Sequence, residues 1–254
     1  MTYADVKRVA VISDVHGNAT ALAAVLGEVA GEDPDLLVFG GDLTWGPLPR
    51  ETLDLVASIE HPSVFIRGNA DRAVIELAAR ATAAAGGDMS AREVWLTEMH
   101  DGAARRFLSG FLEQVVIKVE GLGRTRFCHG SPRNDEELVT SATPAARMLA
   151  LLEGVEERLL VTGHTHLQFD RRVAGIRSVN PGSVGMPYEG EPGAFWAMLG
   201  PDVELRRTAY DLDEATARYR SSGDPLAARM IEILEAPPTR AEVTAHAESL
   251  EFSG

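Results

Sequence analysis

Three short apolar runs, Arg8–Ser13, Leu36–Phe39 and Ser63–Ile66, alternate with two segments of helical period. In the first segment Leu22, Val25, Leu26 and Val29 recur at i, i+3, i+4 and i+7, and Gly31 and Pro34 end it. The second carries Leu53, Val56 and Ile59. Continuously apolar strands are those buried on both faces. Strand, helix, strand, helix, strand is the signature of parallel β-α-β units with right-handed crossovers, which makes the fold class α/β.

Beyond these units the pattern changes. From about 72 to 114 the chain is helical and alanine-rich, broken at Gly86-Gly87, with a capping box at Ser90 and Glu93. Trp95, Met99, Phe107, Leu108 and Leu112 form apolar stripes expected to be core, and this excursion is placed to roof whatever lies above the strand ends. Hairpins are expected around Gly121-Leu122-Gly123, Ala174-Gly175 and Gly200-Pro201-Asp202. Ala142–Leu152 reads as a helix, and a helical tail fills about 211–254, clearest at Leu226–Leu234. Residues 1–254 are expected to form one domain, a size that α/β folds commonly reach.

Five of the predicted strands stop at a residue able to hold a metal. The first ends in Asp14 and His16, the second in Asp42 and the third in Asn69; the run into Cys128 ends in His129, and Arg158–Thr162 ends in His164 and His166. Ligands bind outside the carboxyl ends of strands in open α/β sheets. A single Asp there is ordinarily a turn or a helix N-cap, and a single His is ordinarily a satisfied one near the core. The same bland reading would have to fail at five separate strand ends to leave only ligand-capable side chains. Of the seven histidines, His61, His100 and His246 fall elsewhere and read as surface residues. Cys128, preceding a candidate ligand on an alternating strand, should face away and pack in the core.

The donor mixture selects the metal. With no thiolate in the set a structural zinc site is disfavoured. Carboxylate, amide and imidazole together suit Mn²⁺, Fe, Zn²⁺ or Co²⁺ better than Mg²⁺, and Mn²⁺ is the first choice. Seven side chains are too many for one catalytic ion with an open position; they suit two ions sharing a carboxylate at about 3.5–4 Å.

The net charge of −14 (24 Lys and Arg against 38 Asp and Glu) disfavours stable binding to nucleic acid or anionic membranes. An anionic substrate would need local positive charge, which bound dications could supply. The single cysteine forbids an internal disulfide, no apolar signal core precedes the first strand, and no run approaches the roughly 20 apolar residues that span a bilayer. A cytoplasmic protein is expected.

The motifs SDVHGN, GGDLTWGP, GNAD, CHGSP, GHTH and NPGS, in this order from Asp14 to Ser183, resemble those of the calcineurin-like metallophosphoesterases, most nearly the compact bacterial and archaeal phosphodiesterase branch. The resemblance implies a four-layer αββα sandwich of two mixed sheets. It implies one metal at Asp14, His16 and His166, a second at Asn69, His129 and His164, and Asp42 bridging them. The implied chemistry is in-line attack on a phosphoester by a metal-bound hydroxide, with Asp42, Asn69 and Asp71 as catalytic positions and a small phosphoester as substrate. Asn18, Asn69 and Arg133 are candidate substrate contacts, and Arg67 and Arg72 also lie beside the motifs. One departure stands out: where many members of the family carry a histidine, this chain has Ala70, which leaves Asp71 without the partner it would orient. Losing a general acid costs roughly 10²–10⁴-fold. Phosphodiesters and activated esters, with better leaving groups, are therefore expected over simple monoesters, and His100 is a possible stand-in. The alternatives are a nucleotide pyrophosphatase or phosphomonoesterase, a non-catalytic interaction module on the same fold, and a nuclease, the last disfavoured by charge.

Overall fold

The computed structural model describes residues 2–83 and 89–250. The expected break at Gly86-Gly87 lies outside the described residues. Two mixed sheets pack face to face. The first has the order β11-β10-β2-β3-β4, formed by Val203–Thr208, Ala194–Leu199, Val9–Ile12, Leu36–Phe39 and Ser63–Phe65. Strands β2, β3 and β4 are parallel, joined through α1 (Ala19–Glu32) and α2 (Pro49–Ala57), and the β10–β11 hairpin adds antiparallel to β2. The second sheet has the order β1-β5-β6-β7-β9-β8, formed by Thr2–Val6, Gln114–Val119, Gly123–Cys128, Leu159–Val161, Ile176–Asn180 and Phe169–Val173. Here β6, β7 and β9 run parallel. The strand β1 was not expected; it pairs parallel to β5 at the sheet edge, and its C-terminal Val6 joins the core.

Alternation along each strand builds the layers. Val9 and Val11 of β2 point between the sheets, where they meet Val38, Val64, Ile117, Phe127, Val161 and Val179. Ala10 and Ile12 point the other way, onto Leu22, Val25 and Val29 of α1. On the outer face of the six-stranded sheet, Cys128 and Leu160 pack on Met148 and Leu151 of α6 (Ala145–Leu151). Cys128 thus has the core role expected of it, and burial pushes its thiol up to about 12. Helices outside two mixed sheets make the four-layer αββα sandwich.

The helical excursion comprises α3 (Asn69–Ala83), α4 (Ala91–Met99) and α5 (Gly102–Ser109). It does not simply roof the strand ends. Val74, Leu108 and Phe111 dock it on the outer face of the five-stranded sheet, beside Phe39, with Phe65 stacked between Phe39 and Phe111. Leu96 and Leu108 are buried, whereas Phe107 and Leu112, expected in the core, are exposed. The expected capping box forms at Ser90 and Glu93. The tail helices α7 (Leu212–Ser221) and α8 (Ala227–Glu235) pack Ala215, Tyr219, Met230 and Leu234 against Ala19 of α1, and α9 (Arg240–Ser249) follows. Arg92 of α4 reaches the buried Asp224 of the tail at 3.1 Å, tying the two additions together. Among the described residues no helix is long and apolar enough to cross a membrane.

His100 is fully buried, which corrects its reading as a surface residue or a substitute acid. One ring nitrogen donates to the Leu96 carbonyl at 2.7 Å, and the other accepts from the Thr44 hydroxyl at 2.9 Å. Burial holds its pKa below the usual 6.5. The unfolded chain therefore binds a proton that the folded one refuses, so stability falls as pH drops below 6.5. We expect His100→Gln to flatten the decline of Tm between pH 7.5 and 5; an unchanged slope would refute this.

Candidate metal centre

The carboxyl ends of β2, β3, β4, β6 and β7 converge, and the loops that leave them carry all seven candidate ligands. Ligand atoms of Asp14, His16, Asp42 and His166 lie within 4.8 Å of one another, and so do those of Asp42, His129 and His164. Asp42 belongs to both groups. Its Oδ2 is 3.5 Å from His16 Nε2 and 3.4 Å from His129 Nε2, so the same oxygen faces both sides. Its Oδ1 is occupied by the Ala70 amide at 2.8 Å. Asn69 Oδ1 stands 3.1 Å from His129 Nε2, which adds the carboxamide oxygen to the second group. The geometry therefore brings together every residue that the sequence nominated as a ligand.

The four imidazoles are oriented from behind. His16 Nδ1 donates to the Trp45 carbonyl (3.1 Å), His129 Nδ1 to Gly40 (2.8 Å), His166 Nδ1 to Met186 (2.7 Å) and His164 Nε2 to Glu136 (3.0 Å). A carbonyl only accepts, so each of these nitrogens carries a proton and the other ring nitrogen faces inward. His16 Nε2 and His166 Nε2 face each other at 3.0 Å, so at most one proton fits between them, and a metal cation there would be held by both lone pairs. Ligand nitrogens about 2.0–2.1 Å from a transition ion and at right angles around it are about 3 Å apart. The donor chemistry and spacing thus fit divalent metal.

The local charge has the same character. Burial opposes the charged form of His129, but Asp42 and Asp14 beside it outweigh burial and raise the imidazole to about 10. Burial and the neighbouring His129 push His164 down to about 4. Asp42, despite burial, is held well below the usual carboxylate range by His129, His16 and His164. Protons and metal ions compete for these lone pairs.

The backbone was not legible in the sequence. Asp14 (φ 55°), His16 (47°), Asp42 (54°), His164 (66°) and His166 (56°) all occupy the left-handed region. Such conformations cost of order 1–3 kcal/mol each in a non-glycine residue and cluster at functional sites. Two glycines make the crowding possible. A Cβ on Gly41 would collide with His129 Nδ1, and one on Gly68 would collide with Asp42 Oδ1.

The NPGS segment holds the loops. Asn180 Nδ2 donates to the Gly163 carbonyl (2.7 Å) and to Thr165 Oγ1 (3.0 Å), and the Ser183 hydroxyl donates to the Asp14 carbonyl (2.7 Å). Asp71, fully buried, points into a ring of amides and accepts from Asp42 N (2.8 Å), Leu43 N (3.0 Å) and Gly68 N (2.9 Å). Burial and the Asp42 charge push it up to about 7, against the pull of those three donors. Asp71 anchors the Asp42 loop rather than orienting a catalytic group.

Asn18 is corrected as well. It is buried, caps α1 by accepting from Ala21 N at 3.0 Å, and donates to the Gly185 carbonyl at 3.2 Å, so it braces a helix and a loop instead of facing substrate. Arg72 is taken up by Asp135 (2.8 Å) and Glu136 (2.6 Å), and Arg67 by Glu113 (2.9 Å). Arg133 pairs with Glu137 at 2.7 Å and lines, with Arg67 and Arg72, a hollow of about 180 Å³ that reaches His129. No motif pointed to Tyr188, whose ring stacks on His166 with centroids 4.6 Å apart and planes 26° from parallel.

Known proteins resemble this chain in sequence and fold. Residues 8–199 match the model of the calcineurin-like phosphoesterase superfamily domain. The phosphodiesterase YfcE of Escherichia coli is 28% identical over 200 residues, which is 75% of this chain and 86% of that protein. A metallophosphoesterase from Sphaerobacter thermophilus is 27% identical and superposes with a TM-score of 0.70 over 90% of this chain and 99% of that one. The hypothetical protein PH1004 of Pyrococcus horikoshii, 22% identical, shares the fold with a TM-score of 0.77 over 94% of this chain and 100% of that one. With the family model spanning most of its length and a buried cluster of metal-type donors at its centre, the chain belongs to the calcineurin-like phosphoesterase superfamily.

Proposed function

We propose that the protein is a phosphoesterase using two divalent transition metal ions, with phosphodiesters or activated phosphate esters as substrates. Asp14, His16 and His166 would hold one ion, and Asn69, His129 and His164 the other, with Asp42 shared through Oδ2; Mn²⁺ is the favoured metal. The observation that carries this reading is the convergence of seven metal-type donors into two groups that share Asp42. Ions bound there supply an activated water nucleophile and neutralise charge building on the phosphoryl oxygens.

The chain's own residues do the rest. The carbonyls behind the four histidines keep them aimed. Asp71 and the Ala70 amide hold the Asp42 carboxylate across the centre. Arg133, which lines the hollow, and Asn69, beside His129, are the proposed substrate contacts. Ala70 offers no side-chain proton donor, and this favours esters whose leaving groups depart without strong acid assistance. The phosphodiesterase named among the relatives supports the same preference.

The test is hydrolysis of bis(p-nitrophenyl) phosphate and p-nitrophenyl phosphate with added Mn²⁺. The diester should be turned over faster, and His164→Ala should lose the activity. Failure to hydrolyse either ester with Mn²⁺, Fe²⁺, Zn²⁺ or Co²⁺ would sink the proposal. Metal analysis should find two ions per chain. Stripping them with a chelator should lower Tm, because ligand at 100 times its Kd stabilises a fold by about 2.7 kcal/mol. A Tm indifferent to metal would argue against a centre of this kind.

A further inference from the structure

We propose that Tyr188 contacts the substrate, its phenol donating a hydrogen bond to the phosphoryl group and so supplying a donor that Ala70 cannot; this rests on the phosphoesterase reading above. The ring is fixed in place. It stacks on His166, and its own amide donates to the His166 carbonyl at 3.3 Å. On one side the Met186 carbonyl receives His166 Nδ1–H. On the other, Glu189 is bound by the Gln168 amide and the Arg240 guanidinium of α9. The phenol cannot swing away without unstacking from a candidate ligand.

The hydroxyl, in contrast, is free. It has no hydrogen-bond partner among the described residues, yet it is not sealed in the interior as the Tyr219 hydroxyl is. Tyr188 lies within electrostatic reach of Asp14 and Asp42 and of Arg229 on α8. A donor on a ring stacked against a candidate ligand, within reach of the two carboxylates of the centre, is placed to meet an oxygen of a phosphoryl group bound there. The phenol stays protonated at neutral pH and needs to transfer no proton. Its bond to an oxygen that gains charge strengthens towards the transition state.

The test is Tyr188→Phe, which keeps the stacked ring and removes one oxygen. With metal content and Tm unchanged, kcat for bis(p-nitrophenyl) phosphate should fall about 10- to 100-fold, with KM changing less. Binding of inorganic phosphate to the metal-loaded protein, followed by calorimetry, should weaken about tenfold. A kcat and a phosphate affinity within twofold of the wild type would overturn the proposal. So would loss of metal from the variant, since the hydroxyl would then support the metal centre instead of the substrate. If the wild type binds phosphate but cleaves no ester, the functional reading fails and the affinity comparison alone decides this one.

Discussion

Asp42→Ala is expected to abolish phosphoester hydrolysis and to remove the thermal stabilisation that Mn²⁺ confers. Asp42 is the residue common to both donor groups, and its Oδ2 lies 3.4–3.5 Å from a histidine on each side. Losing even a group behind a ligand typically costs 10–100-fold in metal affinity or activity, so losing the shared carboxylate should cost at least roughly 10³-fold in kcat/KM. The fold itself should survive in the metal-free state. Removing Asp42 relieves repulsion with Asp14 but leaves the Ala70 amide and the His129 imidazole without their partner, so the metal-free Tm should fall and the gain on adding metal is read from each protein's own baseline. The decisive measurement pairs a Tm shift on adding Mn²⁺ with turnover of the aryl diester. A variant that still gains stability from two ions and retains more than a tenth of the activity would show that the centre is not built around this residue.

The second large effect is on stability. Asp71→Ala would leave the amides of Asp42, Leu43 and Gly68 without their acceptor in a fully buried place. Each unsatisfied buried donor costs about 1–3 kcal/mol, and a broken buried network about 3–5 kcal/mol in total. At roughly 2–4 °C per kcal/mol for a chain of this size, Tm should fall by about 10 °C. Asp71→Asn should lie between, because its carboxamide keeps one acceptor but turns an NH₂ towards an amide hydrogen. Activity should follow the same order, since the loop carrying Asp42 loosens with its anchor. The reasoning fails if the alanine variant melts within 2 °C of the wild type.

Asp71 also marks how far the sequence could be read. Its motif drew attention to it, but as the orienting partner of a missing histidine. Only coordinates reveal three amides around its carboxylate, because backbone N–H groups leave no trace in a residue string. His100 failed for a related reason: an isolated polar residue on a helix looks exposed until a distant hydroxyl, here Thr44, is found waiting for it. Asn18 was misjudged because Asn is both a substrate-contact type and a good helix cap. The short edge strand β1 escaped notice because Thr2–Val6 lacks a long apolar run, and its pairing partner β5 lies over a hundred residues away.

What the sequence determined by itself was the alternation of buried strands and amphipathic helices, and the chemical kind of donor at each strand end. Both are local properties, written in hydrophobic period and residue type, and they suffice for the fold class and for all seven candidate ligands. The tertiary structure decided everything that depends on chain segments meeting. It set which nitrogen of each imidazole faces inward, the left-handed backbone at five of the seven ligands, the amide cradle of Asp71 and the stacking of Tyr188 on His166. These depend on carbonyls, amides and ring faces brought from distant parts of the chain, and packing alone fixes where those stand.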